Sequence, residues 1–223
     1  MKNLGKILIV AVFFSLTMTL CAYAEEMKTV DATSVVLVVP PVPAEKTTLD
    51  NLQTAFDGES NANARYLAFA QKADAEGYGK VASLFRAAAR AEQVHYERHA
   101  KVIKALGGTP TAKIEKPVVK STAENLKAAM EGEIYESTVM YPEFLAKADK
   151  DNIKEASDSF EDAGKAEAVH ASLYKKALEN LATWKVRNQI FNVCSFCGNV
   201  VERINFQECP ICGKSKGLYV LAR

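Results

Sequence analysis

The most constraining feature of this sequence is a glutamate and two histidines on a helical stripe that is otherwise apolar. Residues 79–106 place apolar side chains at alternating steps of three and four, which predicts one helix packed into a bundle. Glu92, His95 and His99 fall on that same stripe. A carboxylate that faces a core is costly unless it is paired, protonated or bound to a metal. Because di-iron carboxylate bundles use Glu-x-x-His on inward-facing helices, the rest of the chain is expected to supply further ligands.

Three other stretches show the same apolar period: residues 49–76, 122–148 and 153–181. Together with the first stretch they predict a four-helix bundle. Ser121 and Glu124 have the spacing of a capping box that opens the third helix, and Pro142 inside that helix predicts a kink. The connection at residues 109–120 is long enough to cross the bundle. The second and third helices are therefore expected to be parallel.

The two halves of the predicted bundle repeat one acidic pattern. Glu59 is followed 33 residues later by Glu92, and Glu133 is followed 34 residues later by Glu167. Each second glutamate begins a Glu-x-x-His sequence. Di-iron bundles combine one Glu from each of two helices with a Glu-x-x-His from each of the other two. Glu136, one helical step beyond Glu133, has no counterpart in the first half.

These acids and imidazoles predict a site for two metal ions, because no Lys or Arg shares the stripe positions to balance their charge. Carboxylate oxygens combined with two imidazoles suit iron or manganese. The candidate ligands are Glu59, Glu92, His95, Glu133, Glu136, Glu167 and His170. His99 stands outside the repeat, and we expect it to be a hydrogen-bonded core residue.

A second candidate metal site lies near the end of the chain, where two Cys-x-x-Cys-Gly sequences are separated by eleven residues. Its cysteines are Cys194, Cys197, Cys209 and Cys212. An even number of cysteines in an exported protein would ordinarily suggest disulfides. Paired Cys-x-x-Cys sequences predict a tetrathiolate site instead, and the spacing favours zinc and iron equally.

The first residues resemble an export signal rather than part of the bundle. Two lysines precede an apolar run at residues 7–20, and Ala22-Tyr23-Ala24 is a small-x-small cleavage site. We therefore expect residues 1–24 to be a signal peptide and the protein to be exported, with a periplasmic location. An uncleaved membrane anchor or lipidation at Cys21 are weaker alternatives, since the apolar run is short for a membrane span. Residues 25–46 are predicted to be a linker.

Several runs of the sequence resemble the rubrerythrin family across residues 47–221: FDGESNANARYLAFA, ARAEQVHYERH, EGEIYESTVMYPEF, KAEAVHASLY, VCSFCGN and ECPICGK. The resemblance implies a di-iron site built from the acids and imidazoles named above, with His95 exchanging against Glu136 as one iron changes redox state. It implies that Tyr66 and Tyr141 hydrogen-bond the ligand carboxylates. It also implies one iron on the four cysteines, and a homodimer paired head to tail so that this iron faces the partner's di-iron site.

These observations predict a mainly α protein, with a ferritin-like four-helix bundle at residues 47–184 and a small, β-rich, rubredoxin-like Fe(Cys)₄ domain at residues 189–223. The family's activity implies that the di-iron site reduces hydrogen peroxide to water, with electrons relayed through the Fe(Cys)₄ centre from a donor protein or reductase. A ferritin-type ferroxidase is one alternative, and a non-catalytic, zinc-stabilised interaction module is another. The net charge of +1 gives no indication of nucleic-acid binding.

Overall fold

The computed structural model describes residues 45–185 and 187–222. The predicted signal peptide at residues 1–24 lies outside them, as does all of the predicted linker at residues 25–46 except its last two residues. Within the described part, no helix is long and apolar enough to cross a membrane.

The described chain is a helical bundle followed by a small antiparallel sheet, as the sequence predicted. The helices are α1 (Thr48–Ala75), α2 (Gly79–Ala105), α3 (Thr122–Tyr135), α4 (Tyr141–Lys150) and α5 (Lys154–Glu179). A short 3₁₀ turn, Leu181–Trp184, follows α5. The strands are β1 (Phe191–Cys194), β2 (Val200–Val201) and β3 (Tyr219–Ala222), and β1 lies between the other two.

The capping box predicted at Ser121 is present at the start of α3. The Ser121 hydroxyl accepts a hydrogen bond from the backbone of Glu124, whose carboxylate in turn accepts from the Ser121 backbone. Thr47 and Asp50 form the same arrangement at the start of α1. Each box satisfies backbone donors that a helix N-terminus otherwise leaves unpaired, which fixes where both helices begin.

The connection between α2 and α3 runs along α1 and carries the chain back across the bundle. Side chains one helical turn apart on α1 accept hydrogen bonds from its backbone: Gln53 from Thr111, Asp57 from Lys113 and Asn61 from Glu115. At the far end of α1, the carboxylate of Glu76 accepts from the backbone N–H of Thr122, 2.8 Å away. Since α3 therefore starts beside the end of α1, where α2 also starts, α2 and α3 are parallel, as predicted.

The predicted third helix is interrupted where the sequence suggested only a kink. A π-helical segment, Glu136–Met140, separates α3 from α4. Pro142 falls in the first turn of α4 and has no N–H to donate to the carbonyl four residues earlier. The chain accommodates this loss by widening the helix just before the proline, and a π-helical turn of this kind inserts one extra residue.

The apolar core is divided by a polar layer across the bundle. One cluster contains Tyr66, Phe85 and Tyr174, together with Phe191 and other residues of the C-terminal sheet. The other cluster lies toward the opposite end of the helices and contains residues such as Leu52 and Phe160. Along α1, α2 and α5, the residues between these clusters are the acids and histidines that the sequence singled out.

Candidate metal centres

Four buried glutamates meet in the polar layer, and each comes from a different helix. They are Glu59 on α1, Glu92 on α2, Glu133 on α3 and Glu167 on α5, and none is more than 1% exposed. His95 and His170 lie one helical turn beyond Glu92 and Glu167, so that each imidazole shares a face with its glutamate. The helical period thus brings together six of the seven predicted ligands.

These six side chains form two overlapping groups. In each group the ligand atoms lie within 4.8 Å of one another. The first group is Glu59, Glu92, His95 and Glu167. The second group is Glu92, Glu133, Glu167 and His170. Glu92 and Glu167 belong to both groups. The arrangement can therefore hold two ions bridged by two carboxylates, each ion having one further Glu and one His of its own.

The layer contains buried polar atoms that have no hydrogen-bond partner in the described part of the chain and that a cation between them would satisfy. Glu59 Oε2, Glu92 Oε1, Glu133 Oε2 and both oxygens of Glu167 have no hydrogen-bond partner among the described residues. The Glu167 oxygens lie 2.7 Å from the Nδ1 atoms of His95 and His170 without forming hydrogen bonds. Buried polar atoms without partners are costly. Oxygen-rich donors with two imidazoles, all facing one small space, fit a pair of iron ions.

The pKa values of the side chains in the layer also indicate that a positive charge would be stabilised there. Burial and the neighbouring carboxylates raise the pKa values of Glu59 and Glu92. Burial acts against a charged His95, but the Glu167 carboxylate outweighs it and raises the pKa of His95 to about 9. These groups therefore hold protons that compete with a metal ion for the same atoms. Metal binding would release these protons, because imidazole must be neutral to act as a ligand.

Two buried tyrosines hold carboxylates of the layer. The Tyr66 hydroxyl donates to Glu133 Oε1 at 2.7 Å, and the Tyr141 hydroxyl donates to Glu59 Oε1. These contacts are the ones that the family resemblance implied. By fixing one oxygen of each glutamate, the tyrosines leave the other oxygen directed toward the ions.

Glu136 is the one predicted ligand that the structure leaves outside both groups. It lies half-buried at the start of the π-helical segment. Burial, followed by the charges of Glu133 and Glu167, raises its pKa, and its own charge is the leading neighbouring influence on Glu59. His95 occupies the ligand position in the described arrangement, and the role of Glu136 as an exchanging ligand stays a prediction.

The four cysteines form a compact site between the strands. The Sγ atoms of Cys197 and Cys209 are 3.6 Å apart, and those of Cys194 and Cys212 are 3.9 Å apart. A disulfide requires about 2.05 Å, so the sulfurs are arranged to bind a tetrahedral ion.

Two further contacts to this cysteine site could not be predicted from the sequence. The Tyr219 hydroxyl donates to Cys209 Sγ at 3.1 Å, and Asn199 Nδ2 lies 3.9 Å from the same sulfur while donating to the Tyr219 oxygen at 2.7 Å. No motif marks a tyrosine seven residues beyond Cys212 as a partner of sulfur. Such contacts adjust the electronic properties of a bound metal.

The cysteine site lies directly against the polar layer of the bundle. His95 Nε2 is 3.0 Å from the Cys197 carbonyl oxygen, and His170 Nε2 is 3.0 Å from the Gly198 carbonyl oxygen. Both contacts occur within one chain. The two sites therefore meet without the head-to-tail pairing that the resemblance implied, and the dimer itself stays a prediction.

This combination defines a class: proteins in which a carboxylate-bridged di-iron bundle carries a rubredoxin-like iron centre. The family model described as Rubrerythrin matches residues 50–178. Nigerythrin of Nitratidesulfovibrio vulgaris is 35% identical over 190 residues, covering 85% of this chain and 93% of that protein. Rubrerythrin-2 of Clostridium acetobutylicum is 34% identical over 173 residues, covering 76% and 93%. The chain belongs to the rubrerythrin family.

A solved structure gives the same result for the fold. The structure of fully reduced, all-ferrous nigerythrin aligns with a TM-score of 0.74 at 33% identity, covering 82% of this chain and 91% of that one. The predicted fold class, a ferritin-like bundle with a rubredoxin-like domain, is thereby confirmed. So are the predicted cofactors, a di-iron carboxylate site and an iron bound by four cysteines.

Proposed function

We propose that this protein, an oxidoreductase of the rubrerythrin family, is a peroxidase that reduces hydrogen peroxide to water at the carboxylate layer. The balanced reaction takes one peroxide, two electrons and two protons to two waters. When bound, the di-iron pair supplies both electrons together. The observation that supports this proposal is the direct contact of His95 and His170 with the cysteine site, since repeated turnover requires a route by which electrons return to the layer.

The side chains of the layer have separate tasks in this proposal. Glu92 and Glu167, which belong to both ligand groups, would be shared by the two irons, while Glu59 and Glu133, held by Tyr141 and Tyr66, would each bind one iron. The buried apolar clusters on either side of the layer exclude bulk water, which strengthens every charge interaction within it.

Glu136 and His95 provide the adjustable part of the site. In the proposed cycle Glu136 would turn inward and replace His95 as a ligand in the group that contains Glu59, because an anionic ligand would favour a ferric ion there. The location of Glu136 on a π-helical segment supports this role, since such segments are frequent at functional sites. The closeness of its charge to Glu59 supports it as well.

The proposal also includes an electron donor, a cellular location and a dimer. A donor protein or reductase would deliver electrons to the cysteine site, where Cys212 is the most exposed of the four ligands. The signal-like residues 1–24 support export to the periplasm, and the family resemblance supports a head-to-tail dimer.

Cys209→Ser tests the electron route. The variant should lose the thiolate-to-Fe³⁺ absorption of the cysteine site and all turnover driven by an external reductant. A chemically reduced bundle in the same variant should still consume peroxide once, because its own ligands are intact. Full steady-state turnover in Cys209→Ser would refute the route, and net iron uptake without peroxide consumption by the wild-type protein would indicate a ferroxidase.

A further inference from the structure

His99 is a fully buried imidazole that the proposed reaction does not use. Its Nε2 lies 3.0 Å from the Tyr141 oxygen, and its Nδ1 lies 3.0 Å from the Ser159 hydroxyl. Tyr141 in turn donates to Glu59. An unbroken row of hydrogen bonds therefore runs from α5 through α2 and α4 to a ligand carboxylate on α1.

The Glu59 carboxylate at one end of this row determines which partner donates in each hydrogen bond. A carboxylate that binds a metal only accepts hydrogen bonds, so Tyr141 must use its single O–H for Glu59. The Tyr141 oxygen can then only accept from His99, which requires the proton of the imidazole to be on Nε2. Nδ1 is left without a proton and accepts from Ser159.

The surroundings of His99 favour this single arrangement. Burial lowers the pKa of His99 to about 3, and the charge of Arg98 acts in the same direction. The ring is therefore neutral and has only one N–H. The ring of Phe160 packs against it, with 5.5 Å between ring centroids, and Ser159 is only 2% exposed.

The internal repeat provides a comparison within the same molecule. His99 follows His95 by four residues, and Tyr174 follows His170 by four. The Tyr174 ring lies 5.6 Å from the Tyr66 ring, between centroids, but its hydroxyl has no hydrogen-bond partner among the described residues. Among the described residues, Tyr141 is therefore supported by an imidazole, whereas Tyr66 receives no hydrogen bond from Tyr174 at the equivalent repeat position.

We propose that His99 and Ser159 are positioning residues that keep Tyr141 as a permanent donor to Glu59. Donors in a row polarise one another, so the Tyr141 bond to Glu59 is strengthened by a row that has no counterpart at Tyr174 among the described residues. Glu59 is thereby fixed at the iron it shares with His95. This inference makes the two iron positions inequivalent, and it deepens the proposed function without requiring that peroxide be the substrate.

The first test measures how tightly the iron is held. His99→Phe removes both ring nitrogens at similar volume, and Tyr174→Phe is the matched control because it removes an unpartnered hydroxyl at the equivalent repeat position. His99→Phe should lose one of its two bundle irons to a chelator up to about tenfold faster than wild type, as expected for one lost hydrogen bond. Tyr174→Phe should match wild type. Equal iron loss from the two variants would overturn the proposal.

Two further measurements keep the test independent of turnover and of folding defects in His99→Phe. His99→Gln retains an N–H near the Nε2 position and should restore most of the iron retention. In the zinc-loaded wild-type protein, ¹⁵N NMR should show His99 protonated on Nε2 and bare on Nδ1. A proton on Nδ1 would refute the row of donors, whereas a failure of peroxide reduction alone would leave both measurements unaffected.

Discussion

Replacing Gly198 by alanine would test the contact between the two metal sites at its closest point. A Cβ at this position would lie 2.2 Å from His95 Nε2. In the described arrangement the His95 ring is held in place, because its other nitrogen is 2.7 Å from Glu167 and 2.9 Å from Glu92. The turn that contains Gly198 must therefore move away from the bundle.

The expected size of the effect follows from the bonds that this movement breaks. Two hydrogen bonds link the turn to His95 and His170, and each contributes about 0.5–1.5 kcal/mol. The docked arrangement should therefore lose about 1–3 kcal/mol, which lowers its population relative to the undocked one by about 5- to 150-fold. Gly198 also has φ +77°, and a side chain there adds about 1–2 kcal/mol of backbone strain.

Gly213→Ala is the control that distinguishes the collision with His95 from the backbone strain of an alanine at positive φ. Gly213 closes the second cysteine turn with φ +68°, and no described atom outside the immediate chain lies within 4 Å of an added Cβ. It therefore incurs similar strain without a collision.

The assay mixes pre-reduced protein with peroxide and follows the return of the thiolate-to-Fe³⁺ absorption. Gly198→Ala should delay that return by up to about 150-fold, while oxidation of the bundle keeps its rate and the iron content is unchanged. If Gly198→Ala and Gly213→Ala reoxidise their cysteine sites equally fast, electrons do not pass through this contact.

Two other predictions concern side chains near each metal site. Tyr219→Phe removes the hydroxyl that donates to Cys209 and should lower the reduction potential of the cysteine site, because that hydrogen bond stabilises the more negative, reduced form; an unchanged midpoint in a redox titration would contradict this. Glu136→Ala should still bind two irons, since it lies in neither ligand group, but should reduce peroxide well below the wild-type rate. Wild-type kinetics at full iron occupancy would show that Glu136 is not an exchanging ligand.

The ligand layer could be predicted from the sequence because helical periodicity determines which residues share a buried face. Glu59, Glu92, Glu133 and Glu167 each lie on an apolar stripe, and four amphipathic helices of similar length have only one common interior. The capping box at Ser121 was equally local and was also confirmed. Patterns that depend on residues within one helix are therefore recoverable without coordinates.

The contact between the two sites could not be predicted in the same way. The acceptors on the cysteine side are the carbonyl oxygens of Cys197 and Gly198, and every residue has such an oxygen. No residue type in the sequence therefore marks where the cysteine site contacts the bundle. The one trace in the sequence is Gly198 itself, which has a positive φ in the turn and also allows the close approach of His95.

The two halves of the repeat differ by one residue in the spacing between a ligand glutamate and the following tyrosine. Glu59 precedes Tyr66 by seven residues, whereas Glu133 precedes Tyr141 by eight, and the extra residue lies in the π-helical turn. That turn begins at Glu136, whose charge acts on Glu59, and it ends directly before Tyr141, which holds Glu59. One insertion thus places the Glu136 carboxylate and the Tyr141 hydroxyl close to the same ligand, Glu59. If Glu59 is held by the His99 row as proposed, the proposed change of ligand between His95 and Glu136 would leave the iron bound.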